Sequence, residues 1–388
     1  MNPNVDAVQD WMRCAEVIGL LLVASAGVVP ELAVGASWCV DASGTVADWS
    51  SCGVSACTDT LVYSSVQDAL NAAVASAEGP SAVHQLCVMT PGAHTETVVL
   101  DDSPGAIGAG LTLEFHSGST PNWCPDAATA EEQAGFSFIG SAALPQTVTV
   151  HQLRTSAAGC AASRPTISSS AFAVELIAAR IIGTSGPVLL VGGGPGTPPE
   201  TSITSSRIEG IDGPVLSADT DLTIGWSEIS ASSSTVGEPL IEVTGGAAHL
   251  TLQNSALFGN VVDGAPLVET HGTFQAIESV ISANVVLGDA DLIFASATDL
   301  SLSRGAALTQ VVMSRNTLLS DGSAIAPEII PRFAGIPSAS QFCLPIGAEQ
   351  VGFAERPAPS SSGTPGAGAL VHVEGGPIAV RGFLPVGV

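Results

Sequence analysis

One pattern recurs from Val174 to Ala307: two apolar residues one apart, then a small residue, then a further apolar one, with a new copy about every 25 residues. The copies read Val174/Leu176/Ala179/Ile181, Thr201/Ile203/Ser206/Ile208 and Leu222/Ile224/Ser227/Ile229. They continue as Leu250/Leu252/Ser255/Leu257, Phe274/Ala276/Ser279/Ile281 and Leu300/Leu302/Gly305/Ala307. Successive starts lie 27, 21, 28, 24 and 26 residues apart, as when turns of unequal length interrupt one repeating coil. Self-similarity at this period signals stacked units, because no unit of this size buries its apolar face alone.

A second apolar run follows each first run: Val188–Val191, Val215-Leu216, Leu240-Ile241, Leu267-Val268, Leu292–Phe294 and Val311–Met313. Pro187, Pro214, Pro239 and Pro266 precede four of them. Apolar residues in the first runs alternate two apart, the period of a strand. Pro, Gly, Ser, Asp and Asn fill the gaps, as turns require. These features predict an all-β chain wound as a parallel β-helix, with two or three short strands per coil stacked about 4.8 Å apart.

The small position reads Ala179, Ser206, Ser227, Ser255, Ser279 and Gly305. Equivalent sites in successive coils predict an interior ladder in which each hydroxyl bonds to its neighbour. Four equivalent serines argue for structure rather than for a nucleophile. The next position reads Arg180, Arg207, Glu228, Ala256, Val280 and Ala306. Period-2 alternation points it outward and predicts an exposed charged row.

Residues 1–36 read as an export signal. Val17 to Val29 is an uncharged run too short to span a bilayer, and Val34-Gly35-Ala36 offers small residues for cleavage before Ser37. Arg13 is its only base. Residues 37–64 form a Cys-containing segment, 65–345 the β-helix, and 346–388 a linker with a last strand pair, Val371–Val373 and Ile378–Val380. No later segment qualifies as a membrane span.

Ser65 to Leu100 describes the start of the coil. Val66, Ala69, Leu70, Ala73, Val74 and Ala77 make one apolar helical stripe, with Ser65 as N-cap and Gly79-Pro80 as the stop. The strand Leu86–Met89 follows, then Thr90-Pro91-Gly92 and the strand-like His94–Leu100. The order "SVQDALNAA … LCVMTPGAHTETVVL … LTLEF" resembles the N-terminal cap and first coil of pectin-lyase-like right-handed parallel β-helix proteins. The resemblance implies that a short helix plugs the open end of the solenoid. His94 stands where that superfamily usually has tyrosine. The likeness is one of fold and carries no specific activity.

Composition narrows the partners. The chain has 36 acidic and 10 basic residues, all the bases being arginine, and a formal net charge of −26. Such a surface repels nucleic acid, anionic membranes and, to a degree, polyuronate substrates, whereas Ca²⁺ or a neutral sugar is compatible with it. Cys39, Cys52, Cys57, Cys87, Cys124, Cys160 and Cys343 follow the export signal. Their spacings match no zinc pattern, so disulfides in an oxidising compartment are expected, with connectivity left open.

Enzymes of this fold have recognisable sets against which the chain can be compared. Pectate lyases join Ca²⁺-binding aspartates to an Arg or Lys that removes the proton beside a uronate carboxylate. The candidates here are Asp219 and Asp221, with Asp212 nearby, and Arg207 one coil earlier. Three fragments resemble pectin methylesterases: Gly92–Glu96, Gln275-Ala276-Ile277 and Asp291–Phe294. No Gln-Asp segment like that family's stands between Gln275 and Asp291 and no Gly-Arg-Pro-Trp follows, and the coil repeat itself accounts for each fragment. Trp226 is the candidate for stacking on a sugar ring. No histidine stands at metal-ligand spacing, so no metal site and no cofactor are expected, Ca²⁺ apart. The expectation is a secreted or cell-surface β-helix protein, either structural or binding an extracellular polysaccharide. A polysaccharide lyase or glycoside hydrolase is the alternative.

Overall fold

The computed structural model describes residues 34–41, 44, 62–75, 83–89, 98–101, 111–115, 135–140, 146–156, 166–170, 172–183, 187–192, 200–234, 237–245, 248–288, 290–296, 306–314, 316–319, 371–374 and 378–381. Their strands form four sheets of 12, 9, 7 and 3 strands, here called A, B, C and D. In one coil the chain runs through Leu222–Gly225 in sheet A, Glu228–Ser230 in sheet C and Ile241–Val243 in sheet B. It then re-enters sheet A at His249–Gln253, parallel to Leu222–Gly225. Later coils add a sheet D strand between C and B, such as Val261–Asp263 and Val285–Leu287. The fold is a parallel β-helix.

The predicted stacking holds residue by residue. Leu176, Ile203, Ile224, Leu252 and Ala276 are successive register partners in sheet A, each fully buried. Ile181, Ile208, Ile229, Leu257 and Ile281 do the same in sheet C. One core cluster extends from Trp38 to Leu318. Each buried Ile or Leu contributes roughly 1.5–3 kcal/mol relative to exposure, and the stack supplies walls that a lone coil lacks.

The sixth copy of the repeat falls in a different register from the one expected. Phe274 pairs with Ala306, Ala276 with Leu308 and Ile281 with Met313, so the copy reads Ala306/Leu308/Val311/Met313 and starts at 306 rather than 300. Val311 and Met313 therefore belong to the sheet A–sheet C passage and not to a second apolar run. Two alternating apolar sets stand close together here, and only pairing with the preceding coil selects between them. The expected last strand pair also resolves differently. Val371–Glu374 joins sheet B beside Ile293–Ser296, while Ile378–Arg381 joins sheet A beside Ala306–Thr309.

The helix α1, Val66–Val74, caps one end as expected. Ser65 is its N-cap, its side chain accepting from the Asp68 N–H at 3.0 Å, and Val66, Ala69, Leu70 and Ala73 are buried against the first strands. Gln67 adds a function that the pattern did not reveal. Its Oε1 accepts from the Val99 N–H at 2.6 Å and its Nε2 donates to the Val99 carbonyl at 2.9 Å. Val98–Asp101 is the terminal strand of sheet B, so this amide takes the place of the missing next strand at an exposed edge. The strand Val34–Val40 pairs with Val83–Val88 in sheet A, so the stack begins upstream of the helix. Its pairing shifts register between Val34 and Ser37, beside the expected cleavage point. Residues 1–33, which hold most of the expected export signal, lie outside the described residues.

Cys39 and Cys87 are each half of a disulfide, and no described cysteine is free. Cys52, Cys57, Cys124, Cys160 and Cys343 lie outside the described residues. Among the described residues, no helix is long and apolar enough to cross a membrane.

Candidate functional site: the corner between sheets A and C

Every sheet A strand in the middle of the solenoid ends on a residue with positive φ: Gln152, Ala178, Ser205, Trp226, Asn254, Glu278 and Gln310, between 48° and 58°. One left-handed residue turns the chain sharply, so that the next side chain points inward and the one after it outward on sheet C. The inward residues are Ala179, Ser206, Ser227, Ser255 and Ser279, all buried. Their bonding differs from the expected hydroxyl-to-hydroxyl chain. Each serine Oγ accepts from the backbone N–H one coil earlier: Ala179 to Ser206 and Ser206 to Ser227 at 3.0 Å, Ser227 to Ser255 and Ser255 to Ser279 at 3.2 Å. The same hydroxyls donate to Thr204, Gly225, Gln253 and Ile277 carbonyls at 2.8–2.9 Å. The sharp corner leaves these backbone groups out of the ladders, and a short hydroxyl satisfies two of them at once. The serines are structural.

A second ladder, missed at the level of sequence, holds the following corner. Asn260, Asn284 and Asn316 are buried and stacked. Asn284 Oδ1 accepts from both the backbone N–H and the Nδ2 of Asn260, at 3.1 and 3.0 Å, and Asn316 treats Asn284 in the same way. The signal that was available is the recurrence of Asn two residues before an apolar residue, at intervals set by the coil.

The outward residues form the row Arg154, Arg180, Arg207, Glu228, Ala256, Val280 and Val312, each the register partner of the next. Of the expected exposed row of Arg180, Arg207 and Glu228 only Arg180 is exposed, joined by Arg154 one coil earlier, whereas Glu228 is only 4% exposed. Arg207 is half-buried. Its Nη2 lies 3.0 Å from Glu209 Oε2 and its Nε 3.9 Å from Glu228 Oε1. Glu228 Oε1 also accepts from Ser230 Oγ at 2.6 Å, and its Oε2 has no hydrogen-bond partner. The wall of sheet C thus passes from open and basic at Arg154 and Arg180 to buried at Glu228, Ser230, Ala256 and Ser282. Farther along, outward-facing Val285 and Leu287 pack with Val261 in a small cluster separate from the main core.

Trp226 occupies the left-handed corner position one coil beyond Ser205, two residues before Glu228, and is half-buried. Left-handed backbone disfavours a residue with a bulky side chain by roughly 1–2 kcal/mol, and Asn or Gly suits it better. Trp226 is therefore held there by the coil geometry against its own preference.

Asp219 and Asp221 lie at a different corner, where sheet B passes to sheet A, and both are exposed. Asp219 Oδ1 accepts from Thr244 Oγ1, and Asp221 Oδ1 from the His249 N–H at 2.7 Å, so each carboxylate ties its turn to the next coil. His249 Nδ1 lies 2.5 Å from Thr273 Oγ1, and His271 Nε2 lies 3.3 Å from Glu269 Oε1. Glu242 and Glu269 are register partners in sheet B, with Ser217 Oγ donating to Glu242 at 3.4 Å. Arg207 follows a sheet A strand, whereas Asp221 precedes one, so about 13 Å of strand separates the two corners. The structure groups Asp219 with Asp221 and Arg207 with Trp226, and it does not bring the two groups together. Asp212 is apart from both, accepting from Ser233 Oγ at 3.4 Å. Among the described residues no group of three or more His, Cys, Asp or Glu side chains is placed to hold a metal ion.

No family model, no curated protein and no solved structure matches this chain.

Proposed function

We propose that this chain is an exported member of the pectin-lyase-like β-helix superfamily that binds an extracellular or cell-surface polysaccharide on its wall. The observation that carries the reading is Trp226, a partly exposed indole held at a corner that disfavours it, one coil beyond Arg207. An aromatic ring offers a flat apolar face to the C–H groups of a pyranose, and the indole N–H remains available to a hydroxyl. The cap-and-first-coil order from Ser65 to Leu100 supports the superfamily assignment, and the half-cystines Cys39 and Cys87 support an oxidising compartment.

The test is retention of the full chain by immobilised plant, algal and bacterial polysaccharides, neutral and acidic. Binding of at least one polysaccharide, lost in Trp226→Asn with the fold intact, is the expected result. Retention by none, or retention indifferent to Trp226, overturns the reading. Export is tested separately by sequencing the N-terminus of the protein recovered outside the producing cell, which should begin at Ser37.

A second reading, cleavage of the polysaccharide, is favoured by the other corner. Glu242 and Glu269 stand on adjacent coils, with His271 against Glu269 and Asp219 on the coil before Glu242. Two neighbouring carboxylates are the minimum set for glycoside hydrolysis. Release of reducing ends or of unsaturated uronate, abolished by Glu269→Gln, would favour this reading over binding alone.

A further inference from the structure

We infer that folding locks the Ala36–Ser37 bond into a strand of the first coil, so that the export signal is removed only from a chain that has not yet folded. A precursor that folds first keeps its signal. The inference rests on the export reading above and adds the order of events at that cut.

The expected cut falls inside a strand and not ahead of one. Val34–Val40 runs parallel to Val83–Val88 in sheet A, with Val34 opposite Val83 before the cut and Ser37 opposite Gln85 after it. Val62–Tyr63 pairs with the same strand from its other side, Cys39 standing opposite Val62 and Val40 opposite Tyr63. Proteases nick folded chains at exposed loop tips and free termini, where the backbone can be drawn out into an active site. Here the residues that follow the bond are held in ladders and in the core. Trp38 is buried with its ring 6.0 Å from that of Tyr63, and Cys39 and Val40 are fully buried. Cys39 is also half of a disulfide. Drawing Ser37–Val40 out of the coil therefore unpairs two ladders and exposes an indole and a valine of the core cluster.

The two sides of the cut differ. Pairing shifts register between Val34 and Ser37, and from Ser37 to Val40 it runs unbroken against Gln85–Val88. The regular ladder thus begins at the residue that becomes the new N-terminus. Hydrolysis adds one water across the Ala36–Ser37 peptide bond, leaving a carboxylate on Ala36 and an ammonium on Ser37. The mature chain gives up the pairing at Val34 and keeps the regular ladder, the Trp38 packing and the half-cystine Cys39. The cut costs the finished coil little, whereas the finished coil denies the cut.

This fixes the sequence of events. The strand has no partner until Val62–Tyr63 and Val83–Val88 have followed it out of the membrane, and that delay is the window in which a signal peptidase works. The chain crosses unfolded, with Cys39 still a thiol. Docking of the first coil and oxidation of Cys39 then close the window.

The experiment uses the full chain, residues 1–388, with detergent-solubilised signal peptidase. One sample is denatured, thiol-reduced and diluted directly into the peptidase; a second is refolded and oxidised first. A third is refolded chain carrying a Gly/Ser spacer between Ala36 and Ser37, which moves the same bond off the strand. Intact mass and N-terminal sequencing read the product. Unfolded chain should be cut before Ser37. Refolded parent should be cut at least about tenfold more slowly, because cleavage then follows the small population of opened strand. The refolded spacer chain should be cut nearly as fast as the unfolded one. If the refolded parent is cut as fast as the unfolded chain, the export reading stands and this inference falls. A refolded spacer chain that resists as the parent does also overturns it, since protection then comes from elsewhere than the strand. If the unfolded chain is left whole or is cut at another bond, the export reading falls and this inference falls with it.

Discussion

Arg180 and Arg207 are register partners on adjacent coils of sheet C, and among the described residues Arg207 alone of the two has carboxylates beside it, Glu209 and Glu228. One step along the solenoid axis therefore separates an internally neutralised guanidinium from an open one. Identical backbone geometry yields two electrostatic environments because the coil repeats its strands but not its outward side chains.

The left-handed corner at Trp226 allows binding to be separated from stability. Trp226→Asn removes the indole and places a residue suited to φ near 48° at that position. Loss of half-buried packing and relief of the corner oppose each other, so stability to urea should change by no more than about 1 kcal/mol. Polysaccharide affinity should fall at least about tenfold. A large loss of stability would mean that Trp226 is chiefly a packing residue.

The serine ladder predicts a destabilisation confined to one face. Ser227→Ala leaves the buried N–H of Ser206 and the Gly225 carbonyl without the hydroxyl that serves them. The expected loss is about 1–3 kcal/mol in equilibrium unfolding. Ser202→Ala, at an outward position of the preceding sheet A strand, should stay within about 0.5 kcal/mol.

The asparagine ladder should be the more sensitive of the two. Asn284 makes five hydrogen bonds, serving Asn260 twice through Oδ1, donating through Nδ2 to the Leu257 carbonyl and to Asn316 Oδ1, both at 3.0 Å, and using its own N–H toward Asn316. Asn284→Leu should therefore destabilise by more than Ser227→Ala, by roughly 3 kcal/mol or more, because several buried groups lose partners together. An equal or smaller loss in matched urea titrations would contradict this account of the ladder.

Two glycines should respond differently to alanine. A Cβ at Gly272 would run into the backbone carbonyl of Ala248, which cannot yield, so Gly272→Ala should sharply lower the melting temperature or prevent folding. Gly259 has open space around it and a φ of +64°, so Gly259→Ala should lose only about 1 kcal/mol. Comparable melting temperatures for the two variants would count against the tight stacking of turns between sheets B and A.

Much of the fold was legible before any coordinates. Ile203, Ile224 and Leu252 carry the coil period, Ser65 and Asp68 mark the helix start, and the interior positions of Ser206, Ser227, Ser255 and Ser279 follow from alternation alone. The copy beginning at Leu300 was misplaced because local alternation cannot choose between two overlapping registers. Gln67 bonding to Val99 and the ladder from Asn260 to Asn316 were not legible, since each needs groups 24 or more residues apart to meet. The grouping of site candidates was hidden for the same reason. Arg207, Asp219 and Asp221 are close in sequence, yet a strand of sheet A lies between their corners.

Sequence by itself determined the period, the inward and outward faces and the helical cap, because these depend on near-neighbour alternation and on the need of each coil to hide its apolar side. Tertiary structure alone decided which coil pairs with which, which backbone groups at the corners require a side-chain partner, and that Arg207 meets Glu209 and Glu228. Those outcomes depend on contacts between successive coils, where turn length sets the register and register sets every neighbour along the wall.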